Sequence, residues 1–74
     1  MAYKTQTLPD TDRLLPFTQA RSVVGLSRSK IYELLADEQF PAPVKIGSRC
    51  YFSERELLEW IAEKLAERDQ EHVR

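Results

Sequence analysis

The sequence predicts a mainly α domain with a small β-hairpin, three helices plus a wing, in the layout of a winged helix-turn-helix. Three observations predict it. Residues 18–37 read as two short helices joined by a tight turn at Gly25-Leu26. Residues 44–52 hold two runs of strand composition on either side of Gly47-Ser48. Residues 53–68 carry apolar side chains at helical spacing, without a proline or glycine to break them.

Length and composition bound the answer. A chain of 74 residues has room for one domain, in which every element packs on one centre. The composition, 42% hydrophobic and 31% charged, is that of an ordinary soluble protein. No apolar run reaches membrane-spanning length, and the N-terminus lacks a signal-peptide pattern. The single cysteine, Cys50, forms no internal disulfide, which fits a reducing cytoplasm. We expect residues 1–12 to be a flexible tail, residues 13–68 the domain, and residues 69–74 a C-terminal tail.

The net charge of −1 argues at first against nucleic acid, but its distribution matters more. Residues 13–52 carry six basic side chains against three acidic ones, and residues 53–74 carry four against seven. One half is therefore basic and the other acidic. A basic face on a near-neutral protein still attracts phosphates, with an affinity that falls as salt rises.

Taken in order, Arg13-Leu14-Leu15-Pro16-Phe17 is a short apolar lead-in, extended or a strand, with Phe17 placed to staple the first helix from its N′ position. Thr18 is the expected N-cap of that helix. Ala20, Val23 and Val24 form its apolar face, and Gly25 ends it by entering the left-handed conformation. Leu26 is expected as a buried anchor in the turn. Ser27 caps the second helix, whose apolar residues are Ile31, Leu34 and Leu35. Pro41 and Pro43 impose an extended path after it. Gly47-Ser48 suits a two-residue hairpin turn, with Lys45 and Arg49 near the tip and Cys50 on the inward side. Ser53 and Glu56 spell a capping box for the last helix. Leu57, Leu58, Ile61 and Leu65 are expected to line its buried face, flanked by Trp60 and Ala62. Glu56, Glu59, Glu63 and Glu67 form an acidic stripe, and Lys64–Glu67 and Arg68–Glu71 have the spacing of helical ion pairs.

In a helix-turn-helix the start of the second helix enters the DNA major groove. That start is Ser27, Arg28, Ser29 and Lys30, with Tyr32 and Glu33 one turn on. Arg28 has the fork that matches guanine O6 and N7, and Ser29 and Lys30 reach bases or phosphates. Glu33 either accepts from cytosine N4 or turns aside to a basic neighbour. Thr18, Gln19 and Arg21 of the first helix, with its leading N–H groups, are candidates for phosphate. Lys45, Ser48 and Arg49 are the wing's candidates.

Catalytic readings fare poorly. Ser27-x-x-Lys30 matches the spelling of some acyl-transfer enzymes, but serine as an N-cap explains it better. His72 and Cys50 together do not supply a zinc site. We therefore expect no enzyme activity, no cofactor, no metal and no small-molecule ligand. The competing class is a protein-interaction module that uses the acidic last helix. Arg28 and Lys30 discriminate, because internal pairing with Glu33 and Asp37 would weaken the DNA reading.

Gly25-Leu26-Ser27-Arg28-Ser29-Lys30-Ile31-Tyr32, then Phe40-Pro41-Ala42-Pro43-Val44-Lys45-Ile46-Gly47-Ser48-Arg49, then Glu56-Leu57-Leu58-Glu59-Trp60-Ile61 together resemble the AlpA family of prophage regulators and excisionases. The resemblance implies a winged helix-turn-helix related to the MerR-type domain. It also implies a regulator of an integrase gene, or an excisionase that directs recombination at attachment sites, bound to double-stranded DNA in the nucleoid. Integrase and further copies of the chain on DNA are the implied partners. Lys30 stands where that pattern usually has threonine, Glu33 where a basic residue is frequent, and Phe52 where tryptophan is common.

Overall fold

A computed structural model describes residues 12–71 of the chain. The elements run β1 (Leu14–Pro16), α1 (Phe17–Val24), α2 (Arg28–Ala36), β2 (Val44–Ile46), β3 (Arg49–Ser53) and α3 (Glu54–Glu71). This is the mainly α winged helix-turn-helix that the sequence predicts. Residues 1–11 of the expected tail at residues 1–12, and His72 with its two successors, lie outside the described residues. None of the described helices is long and apolar enough to cross a membrane.

Local chemistry sets most boundaries. Gly25 ends α1 at φ 75°, and its N–H donates to the Arg21 carbonyl. Ser27 caps α2, its hydroxyl accepting from the Lys30 N–H at 3.1 Å. α2 stops at Ala36 with Glu38 in the left-handed region at φ 58°, while the Gln39 N–H donates to the Leu34 carbonyl at 2.8 Å. That closure normally recruits glycine, and a side chain there is strained by about 1 kcal/mol. Gly47 takes φ 63° at the first position of the hairpin turn, where a two-residue loop calls for it.

The sheet has the order β1-β3-β2, antiparallel throughout. Leu15 faces Phe52 across β1 and β3, and both are buried. Ala20 from α1, Ile31 from α2, Phe40 from the proline-flanked connection and Leu57 from α3 complete the core. Phe40 sits edge-on to Phe52 and to Trp60, whose indole N–H donates to the Gln39 carbonyl at 2.8 Å. The hairpin, α2 and α3 thus contribute to one core cluster.

Several expectations need correction. Thr18 is not the N-cap of α1: the helix begins two residues earlier than that cap implies, with Pro16 at the cap and no capping side chain. Phe17 is consequently the first helical residue and not an N′ staple. Pro16 fits there because an edge strand and a helix start both tolerate its missing N–H. Leu26 is half-buried and Cys50 is exposed, because the hairpin tip extends past the core. Leu58 and Leu65 are exposed, so α3 buries Leu57 and leans on the core with Trp60. α3 also runs past Arg68 to Glu71, whose side chain, and with it the expected Arg68–Glu71 pair, lies outside the described residues; Arg68 also reaches Asp69 at 3.1 Å. The Lys64–Glu67 pair forms at 3.4 Å.

Ser53 caps α3 as expected, its hydroxyl accepting from the Glu56 N–H at 3.1 Å. The sequence did not reveal its second partner. The Ser53 hydroxyl donates to the Asp12 carboxylate at 2.9 Å, and the same carboxylate accepts from the Arg55 and Arg13 backbone N–H groups at 3.1 and 2.8 Å. Arg13 adds a bidentate bond to Glu54, at 3.0 and 3.3 Å. The Arg55 N–H holds the Asp12 carboxyl below its ordinary value against the opposing effect of burial, helped by Ser53 and Arg13.

A folded-state value below the unfolded one stabilises the fold above about pH 4, and that gain is lost as pH falls through the folded value. We expect Asp12→Ala to cost about 1 kcal/mol at neutral pH, the scale of a lost cap. The difference from the natural chain should shrink towards pH 3, measured by urea unfolding at both pH values. An equal loss at both would remove the carboxylate from the account.

Candidate nucleic-acid interface

The exposed start of α2 is built on Phe17. The Arg28 guanidinium lies 4.7 Å from the centre of the Phe17 ring, and Tyr32, one turn later, stacks on it at 5.4 Å with 13° between planes. Phe17 in turn packs against the core residue Phe52 at 6.1 Å. A buried aromatic thus holds a half-buried one, which positions an arginine and a tyrosine on the outer face of α2. Sequence reasoning missed this role, because it placed Phe17 in the lead-in.

Between this platform and the hairpin lies a cleft lined by Pro16, Phe17, Thr18, Arg28, Tyr32, Ser48, Arg49 and Cys50. It brings together expected residues from all three groups: Thr18 from α1, Arg28 and Tyr32 from α2, Ser48 and Arg49 from the hairpin tip. A second hollow at the turn is lined by Thr18, Arg21, Ser22, Gly25, Leu26 and Ser27. Neither contains an acidic residue. Gln19, Ser29 and Lys45 line neither, and all three are exposed. Lys45 pairs across the hairpin with Cys50, so it shares the sheet face of the first cleft's wall.

Besides the contacts to Phe17 and the Ser27 cap, three of the expected residues have internal partners. Arg21 donates from Nε to the Leu26 carbonyl at 3.2 Å and so braces the turn. Lys30 pairs with Glu33 at 3.3 Å, both more than half exposed. Glu33 is thus turned towards a basic neighbour in this structure. Arg28 rests on an aromatic ring and Lys30 does not reach Asp37. Magnitudes decide what this costs. An exposed helical ion pair is worth about 0.3–0.5 kcal/mol, and an exposed cation–π contact about 0.5–1 kcal/mol. A bidentate base contact is worth about 1–3 kcal/mol, so either can be exchanged.

The uncapped start of α1 adds a further feature. With no side chain bonded at its cap, its leading N–H groups lack intrahelical partners beside Thr18 and Gln19. Those donors carry the positive end of the helix dipole.

Charge is segregated across the molecule. A groove away from the cleft is lined by Glu38, Glu56, Glu59, Glu63 and Glu67 with Lys64, beside Trp60. It shares no residue with either basic hollow. Lys64 lies 5.5 Å over the Trp60 ring. Among the described residues no group of three His, Cys, Asp or Glu side chains is placed to hold a metal ion.

Comparison with known proteins identifies a family. The family model described as prophage CP4-57 regulatory protein (AlpA) matches residues 13–65. ORF88 of Enterobacteria phage P4, an uncharacterized protein, is 36% identical over 64 residues, which cover 82% of this chain and 73% of that one. No solved structure gives a significant match.

Proposed function

The chain belongs to the AlpA family of prophage regulatory proteins, and on that premise we propose that it binds double-stranded DNA sequence-specifically, as a regulator of an integrase gene, an excisionase, or both. One observation carries the reading: Arg28 and Tyr32 on α2 and Ser48 and Arg49 on the wing converge on one cleft without acidic residues. A nine-residue helix is about 13 Å long and presents its first turn to the major groove. Arg28 then reads a base, while Ser29 and Lys30 sit beside it. Tyr32 donates to a phosphate from its place on Phe17. The α1 N–H groups near Thr18 and Gln19 hold the neighbouring phosphate, with Arg21 bracing the turn. Lys45, Ser48 and Arg49 follow the backbone as the wing. No cofactor enters. Integrase is the protein partner this reading implies.

An NMR titration of backbone amides with a short duplex, at low and at high salt, tests it. Shifts are expected at residues 18–21, 27–33 and 45–49, and they should fade as salt rises. Shifts confined to residues 56–67, or none, would overturn the reading in favour of an interaction module on the acidic groove.

A further inference from the structure

The expected buried face of α3 is split. Leu57 is buried, yet Leu58 is 53% exposed and Leu65 47%. Ala62, Ala66 and every residue from Leu65 to Gln70 are also exposed. The exposed apolar residues are not scattered. Leu58, Ala62 and Leu65 recur at intervals of four and three residues, and the charged Arg55 and Asp69 continue the same spacing at either end. That 3.5-residue period is the seam of a helix that packs along another helix. Its two ends carry opposite charges, and both ends lie seven residues from Ala62.

We propose that this seam is a self-association surface, on which α3 pairs antiparallel with α3 of a second copy about a two-fold axis at Ala62. The seam is self-complementary only in that sense. Antiparallel pairing sets Arg55 opposite Asp69 of the second copy, twice by symmetry, and seats Leu58 on Ala66. Parallel pairing would oppose Arg55 to Arg55 and Asp69 to Asp69. Antiparallel dipoles favour the same choice. The small side chain of Ala62 lets the two backbones approach at the axis. Arg55 and Asp69 hold exposed local partners, Glu59 at 3.6 Å and Arg68 at 3.1 Å, and such surface pairs exchange readily. An isologous contact of this kind closes at two copies. The seam spans about 21 Å of helix, so the interface is small and the dimer weak until DNA raises the local concentration.

The proposal stands apart from the DNA reading, and its test contains no DNA. Sedimentation equilibrium of the full chain from about 10 µM to about 1 mM, the range of weak interfaces, should show a monomer–dimer equilibrium. Leu65→Glu should weaken it at least about tenfold, since a charge then enters the apolar stretch of the seam. Arg55→Glu and Asp69→Arg should each weaken it several-fold, and the double exchange should recover most of the loss. In a Cys50→Ser background, Ala62→Cys should cross-link with diamide far faster than Glu63→Cys. A monomer throughout the range overturns the proposal. So does a dimer indifferent to Leu65→Glu, a double exchange no better than the singles, or equal cross-linking at positions 62 and 63. Circular dichroism confirms that each variant is folded.

Discussion

Phe17→Ala is expected to cost about 2–3 kcal/mol of stability, less than a fully buried phenylalanine because this ring is half-buried. For a domain of this size, whose total stability is about 5 kcal/mol, that loss approaches unfolding. The ring is shared by Tyr32, Arg28 and Phe52, so its removal frees the platform on α2 and opens a gap beside the core. Phe17→Leu separates the two effects. Leucine keeps most of the apolar volume, so the stability loss should fall to about 1 kcal/mol. It has no aromatic face, so Arg28 and Tyr32 lose their rest and DNA affinity should still drop. Thermal melts read the first effect and fluorescence anisotropy with labelled duplex the second. A Phe17→Leu chain that melts lower but binds as tightly as the natural one would show that the stack serves stability alone.

The second large effect is on discrimination. Arg28→Ala should cost about 1–3 kcal/mol on a duplex selected from a random pool, and little on scrambled DNA. Lys45→Ala should weaken both duplexes alike and lower the salt slope by about one. The two variants test different physics: a fork that fits one base edge, and a point charge that fits any phosphate. Neither residue holds the core together, because both are exposed. Equal losses on both duplexes for both variants would mean that α2 is not the reading element.

Much of this chain was legible from local chemistry. Gly25, Ser27, the Gly47-Ser48 turn and Ser53 each act through backbone geometry or a hydrogen bond spanning a few residues, and each stands where its neighbours say it should. The candidate cleft was legible in part. Arg28, Tyr32, Ser48 and Arg49 follow from knowing which helix start and which turn a winged domain exposes.

Other features depended on contacts between distant residues. Asp12 reaches Ser53 and Arg55 across more than forty residues of sequence, and no local pattern announces a cap supplied from so far away. Phe17 became the platform for α2 because β1 pairs with β3, which puts Pro16 at the cap and turns the ring towards Tyr32. α3 had apolar residues on two adjacent stripes, and a 3.6-residue period does not say which stripe meets the core. Only the position of Phe52 and Phe40 decided that Leu57 and Trp60 face inward while Leu58 and Leu65 stay outside. The sequence by itself determined the elements, their turns and the caps at Gly25, Ser27 and Ser53, because those are set by interactions within a few residues. Tertiary structure decided which faces are buried and which side chains share a surface, because burial depends on what the folded chain places opposite each residue.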